Sequence, residues 1–233
     1  MEDRDIRAAL ARRPDPRAGI ATRPRALDVK SRHQGHSHQP LARADLPADT
    51  VALARMLIGK IVVRELPEGI VSGRIVETEA YIIGDSAGHA YRGMTPRNRA
   101  LFLERGHAYV YLAYGISWML NVSSEKPGIG AGVLIRALEP LEGIPIMQKN
   151  RGTERLRDLA RGPGRLAEAL RIDRALDGLD LCRKGPLWLA RGERRAGKIG
   201  QSIRIGITKN ADSLLRFYLC ASPFVSGPKS LNA

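Results

Sequence analysis

The chain has 233 residues, 43% of them hydrophobic, with 38 Lys and Arg against 24 Asp and Glu and a net charge of +14. That length fits one domain with a tail, or two small domains, and the apolar content excludes a wholly disordered chain. The charge says nothing about fold; it favours a polyanionic partner such as nucleic acid over a merely solvated basic surface.

Residues 1–43 hold ten Lys and Arg and five Asp and Glu, with much Pro, Ala and His and no sustained apolar period. They read as a disordered basic tail, in which the cluster His33, His36, His38 is not expected to hold a metal. Folding is expected from residue 44, and residues 227–233 are read as a C-terminal tail. Asp49 can cap a helix through Val51, Leu53, Met56 and Leu57, ended by Gly59. Strands follow over 61–66 and 70–81, separated by Pro67-Glu68-Gly69. Thr95-Pro96 predicts an N-cap and a first-turn proline, opening a short helix through Leu101 to Leu103. Strands over 107–113 and 116–123 flank Tyr114-Gly115, a hairpin signal with an aromatic at its tip. A strand over 131–138 comes next, then helices over 140–150 and 165–170, the latter preceded by Gly162-Pro163-Gly164. Short strands are expected around Leu187, Ile203 and Phe217. Strands and helices do not alternate regularly, so the predicted class is α+β: one domain with a mixed or antiparallel sheet, surrounding helices and a protruding hairpin.

Cys182 and Cys220 fit neither a zinc site nor a disulfide framework and read as a reducing compartment. No apolar run reaches the roughly 18 residues of a membrane span. Glu2-Asp3-Arg4-Asp5 at the start lacks the apolar region of a signal peptide. The expectation is a soluble intracellular protein.

Three features carry chemistry. Along a strand, period two would put Ile75, Glu77, Glu79 and Tyr81 on one face, either a plain solvent face or a carboxylate site suited to general-base work. Five of the six tyrosines, Tyr81, Tyr91, Tyr109, Tyr111 and Tyr114, fall between positions 81 and 114. Interleaved with Arg92, Arg97, Arg99 and Arg105, they suit base stacking along a basic groove, with hairpin packing as the alternative. An exposed ring at a hairpin tip suits entry into a minor groove, as base extrusion requires. His107 reads as structural.

These segments, taken in order, resemble the alkyladenine (3-methyladenine) DNA glycosylases. The similar motifs are Glu77-Thr78-Glu79-Ala80-Tyr81, Asp85-x-Ala87-x-His89, Thr95-Pro96-Arg97-Asn98-Arg99, and Tyr109-Val110-Tyr111 with Tyr114-Gly115. Asn121-Val122-Ser123-Ser124, Leu134-x-Arg136-Ala137-Leu138-Glu139-Pro140 and Gly162-Pro163-Gly164 continue the series, which spans residues 44–226. The resemblance implies Glu79 as the general base that activates water. It implies Tyr81, His89 and Tyr111 as the residues that sandwich a flipped base, Tyr114 as the gap-filling intercalator and Asn121 as a purine screen. Arg136 would hold the carboxylate and the water, Thr95, Arg97 and Asn98 would lie near phosphate, and Glu77 would support the site. Gly88 before His89 and Ser117-Trp118 after the tip depart from the pattern and leave the base preference open.

The implied activity is hydrolytic release of alkylated or deaminated purines from double-stranded DNA by a monomer, without cofactor or metal. A bacterial cell would place it in the cytoplasm at the nucleoid, a eukaryotic one in the nucleus. No lysine neighbours Glu79, so water rather than an amine is the expected nucleophile. A DNA-binding module without catalysis would leave Glu79 and Arg136 unexplained; a free-nucleoside hydrolase would leave Tyr114 and the basic surface idle.

Overall fold

The computed structural model describes residues 38–192 and 197–231, so the tail expectation for residues 1–37 lies outside the described part. Packing begins ahead of the boundary expected at residue 44. Leu41 is buried, Pro40 bridges Ala190, and Trp188 Nε1 donates to the carbonyl of His38 at 2.8 Å. Arg43 pairs with Asp180 at 2.7 Å. A single apolar residue in a polar stretch sets no period, which is why Leu41 gave no signal.

Helix α1 (Thr50–Leu57) starts where expected, with the Asp49 carboxylate accepting from Ala52 N–H at 2.7 Å. It lays Leu53, Ala54 and Leu57 into the core. Strands β1 (Ile61–Leu66) and β2 (Gly69–Tyr81) form a hairpin. A second hairpin joins β3 (Ala108–Ala113) to β4 (Ser117–Ser123), and β5 (Gly132–Glu142) returns beside it. Helices α2 (Ile144–Arg151) and α3 (Pro163–Ala169) follow, then β6 (Leu187–Ala190), β7 (Ile199–Ser202) and β8 (Arg216–Leu219).

The eight strands make one sheet in the order β3-β4-β5-β2-β1-β6, with β8 on β2 and β7 on β8. Every pairing described is antiparallel, so the class is α+β. β2 is the hub. Along one edge it pairs with β5; along the other it pairs first with β1 and then, from Glu77, with β8. A strand so enclosed reads as a near-continuous buried run, as β2 does.

Three local expectations change. Thr95-Pro96 opens a turn rather than a helix. Asn98 Oδ1 accepts from the Thr95 amide at 2.6 Å, and a 3-10 turn runs over Arg99–Phe102. Pro140 starts no helix but lies in β5 opposite Gly73, beside a register shift, where the ladder tolerates a missing N–H. The strand expected at Ile203 is β7, ending at Ser202.

Candidate active site

The β2–β5 ladder is irregular at its centre. Between Ile75 and Thr78 it shifts register twice, leaving Val76 on β2 and Arg136 on β5 without direct partners. A bulge re-aims side chains. Ile75 therefore leaves the face predicted for it and packs in the main core with Ala80, while Thr78 donates to Ala54 O of α1 at 2.9 Å. Glu77, Glu79 and Tyr81 keep to the opposite face, where the extra residue of β5 delivers Arg136.

That face is not solvated: Glu77 and Glu79 are each 0% exposed. Arg136 lies between them, with Nε 3.0 Å from Glu77 Oε1 and Nη1 3.2 Å from Glu79 Oε1. Glu79 also accepts from Ile205 N–H at 2.8 Å and from the Tyr81 hydroxyl at 3.1 Å. Glu77 accepts from Arg216 Nε at 2.7 Å and from the Ser226 amide and hydroxyl at 2.6 and 3.0 Å. Burial pushes Glu79 above the usual carboxylate range, and Arg136 and the Ile205 amide reduce the rise without reversing it. Burial would lift Glu77 too, but Arg136, Arg216 and Ser226 together outweigh it and hold Glu77 below that range. The pair is thus separated into a fixed anion and a carboxylate able to take a proton.

The site opens into a cavity of about 370 Å³ lined by Tyr81, His89, Tyr111, Tyr114, Asn121 and Arg136 among others. His89 and Tyr111 form one aromatic wall, ring centroids 4.3 Å apart. Tyr109 stacks behind Tyr111 at 5.3 Å, and its hydroxyl lies 2.9 Å from His89 Nδ1. Burial and the nearby Arg97 guanidinium hold the imidazole below its ordinary value, which keeps it neutral. Burial, Glu79 and Tyr111 hold the Tyr81 hydroxyl well above its ordinary value, so it stays a donor. Asn121 Nδ2 donates to Tyr109 O at 3.2 Å.

Tyr114 stands at the cavity mouth on the β3–β4 turn, 93% exposed. Tyr114 and Gly115 have φ of 50° and 72°, and Ile116 N–H closes the turn on Ala113 O at 2.9 Å. Two consecutive left-handed residues define a type I′ turn, which explains Gly115 and the strain carried by Tyr114. Ile116 beside it is 83% exposed, a second apolar group at the tip that the sequence reading passed over.

The residues expected near phosphate divide. Thr95 and Arg97 are exposed, and the Arg97 guanidinium lies 5.9 Å from the Tyr111 ring centroid. Asn98 is 4% exposed and turned inward, its Nδ2 donating to the carbonyls of His89 and Gly93 at 2.8 and 3.1 Å. It holds the loop that carries His89. His107 does not line the cavity, and its Nδ1 lies 2.7 Å from Glu104 O. The sequence reading missed Arg216, Ser226 and Ile205; only a charged residue inside the apolar run Leu214-Leu215-Arg216-Phe217-Tyr218 hinted at them. Among the described residues no group of three or more His, Cys, Asp or Glu could hold a metal ion, and no helix is long and apolar enough to cross a membrane.

Residues 44–223 match the family model for methylpurine-DNA glycosylase. A protein of Mesorhizobium japonicum named "Putative 3-methyladenine DNA glycosylase" is 77% identical over 198 residues, 85% of this chain and 95% of that protein. Relatives of the same name from Paraburkholderia phytofirmans and Methanoculleus marisnigri are 53% and 48% identical, covering 82% and 76% of this chain and 90% and 94% of their own. The class so defined is a DNA glycosylase, a hydrolase of DNA repair. The chain belongs to the methylpurine-DNA glycosylase family.

Proposed function

We propose that this protein is a monofunctional glycosylase that turns an alkylated or deaminated purine out of double-stranded DNA and hydrolyses its N-glycosidic bond, leaving an abasic site. The observation that carries the reading is Glu79, a fully buried carboxylate held by Arg136, Ile205 and Tyr81, three residues that line an aromatic cavity. The flipped base enters between Tyr81 and the wall formed by His89 and Tyr111, and Asn121 meets its edge. Tyr114, and Ile116 beside it, fill the vacancy left in the duplex; Thr95 and Arg97 lie towards phosphate.

Glu79 takes a proton from water as the oxygen attacks C1′. The C1′–N bond breaks, and its electron pair leaves with the base. Positive charge grows on the sugar during this step, and the Glu79 carboxylate, already held in place, offsets it until the proton has been transferred. A neutral imidazole in the wall does not repel a cationic alkylated base, and tyrosine faces attract one by roughly 1–2 kcal/mol when desolvated. The chain works as a monomer in the compartment that holds the DNA.

The test is incubation with a duplex carrying one hypoxanthine or ethenoadenine, followed by alkali. Breaks at the lesion, absent with Glu79→Gln, support the reading. Tight binding without breaks would leave a DNA-binding module, and release from free nucleosides alone would make it a nucleoside hydrolase.

A further inference from the structure

Behind Tyr81, on the 203–210 segment, lies an arginine that the chemistry above does not use. Arg204 is 3% exposed and does not line the cavity. Its guanidinium carbon sits 4.6 Å over the Tyr81 ring. Nη1 donates to the carbonyl of Ala80 at 3.0 Å and pairs with Asp85, and Nη2 reaches Asp85 Oδ1 at 3.2 Å and Asn210 O at 3.3 Å. Its Nε is buried and meets no hydrogen-bond partner among the described residues. An unmet donor is costly, so the side chain is placed for what its other atoms do.

Those atoms join three parts of the site. Ala80 and Tyr81 end β2. Asp85 opens the loop to His89 and also accepts from Ala87 N–H at 3.1 Å and Asn210 Nδ2 at 3.0 Å. Arg204 itself precedes Ile205, whose N–H is on Glu79. We propose that Arg204 is a positioning residue for the glycosylase reaction, fixing the Tyr81 ring and the Ile205 amide relative to Glu79 through its ion pair with Asp85. This rests on Glu79 acting as the base that activates water.

The consequence is specific. The groups that face Glu79 are Glu77 and Tyr81 from its own strand, Arg136 from β5, Tyr111 from β3 and the Ile205 amide; Arg216 of β8 is engaged with Glu77. Without Arg204, the Ile205 amide and the Tyr81 hydroxyl are no longer held on the carboxylate. Both favour its charged form, so their loss moves protonation to higher pH.

The test is single-turnover release of hypoxanthine from a duplex by the full chain across pH, with a thermal melt of each variant. For Arg204→Gln we expect a plateau rate about tenfold lower and an acid limb moved up by about one pH unit, at temperatures where the variant is folded. Arg204→Lys keeps a charge for Asp85 but cannot lie flat over Tyr81 and reach every acceptor; its limb should fall between the two. If Arg204→Gln does not fold, Arg204→Met combined with Asp85→Asn replaces the pair by neutral groups and carries the same expectation. An unmoved limb in a folded variant, or a rate loss that only follows the melt, overturns the proposal. A wild-type profile without an acid limb, or excision by Glu79→Gln, would instead remove the reading of Glu79 on which it rests.

Discussion

Glu77 and Glu79 stand two residues apart on β2 and share the guanidinium of Arg136, yet their carboxylates are driven in opposite directions. The difference lies in what else each touches. Glu77 has Arg216 and both donors of Ser226; Glu79 has one amide and a phenol.

Glu79→Gln should abolish base release while lesion binding survives, because the substitution keeps the shape and removes the charge that activates water. In the wild type the rate should rise with pH through a midpoint above the ordinary carboxylate value of about 4.3, since the active form is ionised and burial raises the pKa. A single-turnover profile measures this; a midpoint at or below the ordinary value contradicts it.

Glu77 makes a different prediction, for stability. Its folded pKa is depressed, so its contribution is complete above the unfolded value of about 4.3 and is lost as pH falls through the folded value. Glu77→Gln takes away the carboxylate that Arg216 meets and leaves Arg136 only one of the two it bridges, Glu79, at a cost of about 3–5 kcal/mol. Urea unfolding at neutral pH should show that loss, together with a weaker dependence of stability on pH below 5 than the wild type has. Equal stability of the two proteins at pH 7 would contradict the buried network.

Tyr114→Ala should impair flipping more than chemistry. Extruding a base costs a few kcal/mol, and an aromatic–base stack offsets roughly 1–3 kcal/mol of it. Its removal should lower the flipped population by about tenfold to a hundredfold. Stopped-flow fluorescence of ethenoadenine separates the two steps. Normal flipping with slowed excision would place Tyr114 in the pocket instead.

Activity should survive EDTA, and borohydride should trap no covalent adduct with DNA. No lysine lies beside Glu79 in the sequence, and among the described residues no metal-binding cluster is present. A trapped species would contradict attack by water.

Deleting residues 1–37 should leave excision on short duplexes nearly intact and flatten the salt dependence of non-specific binding. Those residues carry nine Lys and Arg against five Asp and Glu. Extending the deletion through residue 43 should lower the melting temperature, because it removes Leu41 from the core and Arg43 from Asp180. Equal melting of the two truncations would show that residues 38–43 add nothing to the fold.

Much of the fold was legible where one local rule sufficed. Asp49 ahead of an apolar period marks α1, and long β-branched runs mark β1 and β2. Proline misled twice, at Pro96 and Pro140, because the residue that suits a helix start also suits a turn or a register shift. Glu79, Arg136, Tyr81, His89 and Tyr111 were readable as motifs and the structure gathers them. Their holders were not. Asp85 meets Arg204, and Glu77 meets Arg216 and Ser226, across more than a hundred residues. Nothing local encodes such a pairing. The departure of Ile75 from the face of Glu77 has the same origin, since a bulge belongs to two strands and not to one.

Gly164 on α3 packs so closely on the β3–β4 hairpin, just below its turn, that a Cβ there would stand 2.9 Å from Ser117 Cβ. The hairpin is therefore propped next to its free end, since Ser117 pairs with Ala113, the residue that precedes Tyr114. A prop so near the end hands its own displacement to the tip. A methyl group added at position 164 would press on Ser117 and shift the tip, so the reach of Tyr114 into a duplex is set in part from a helix behind it.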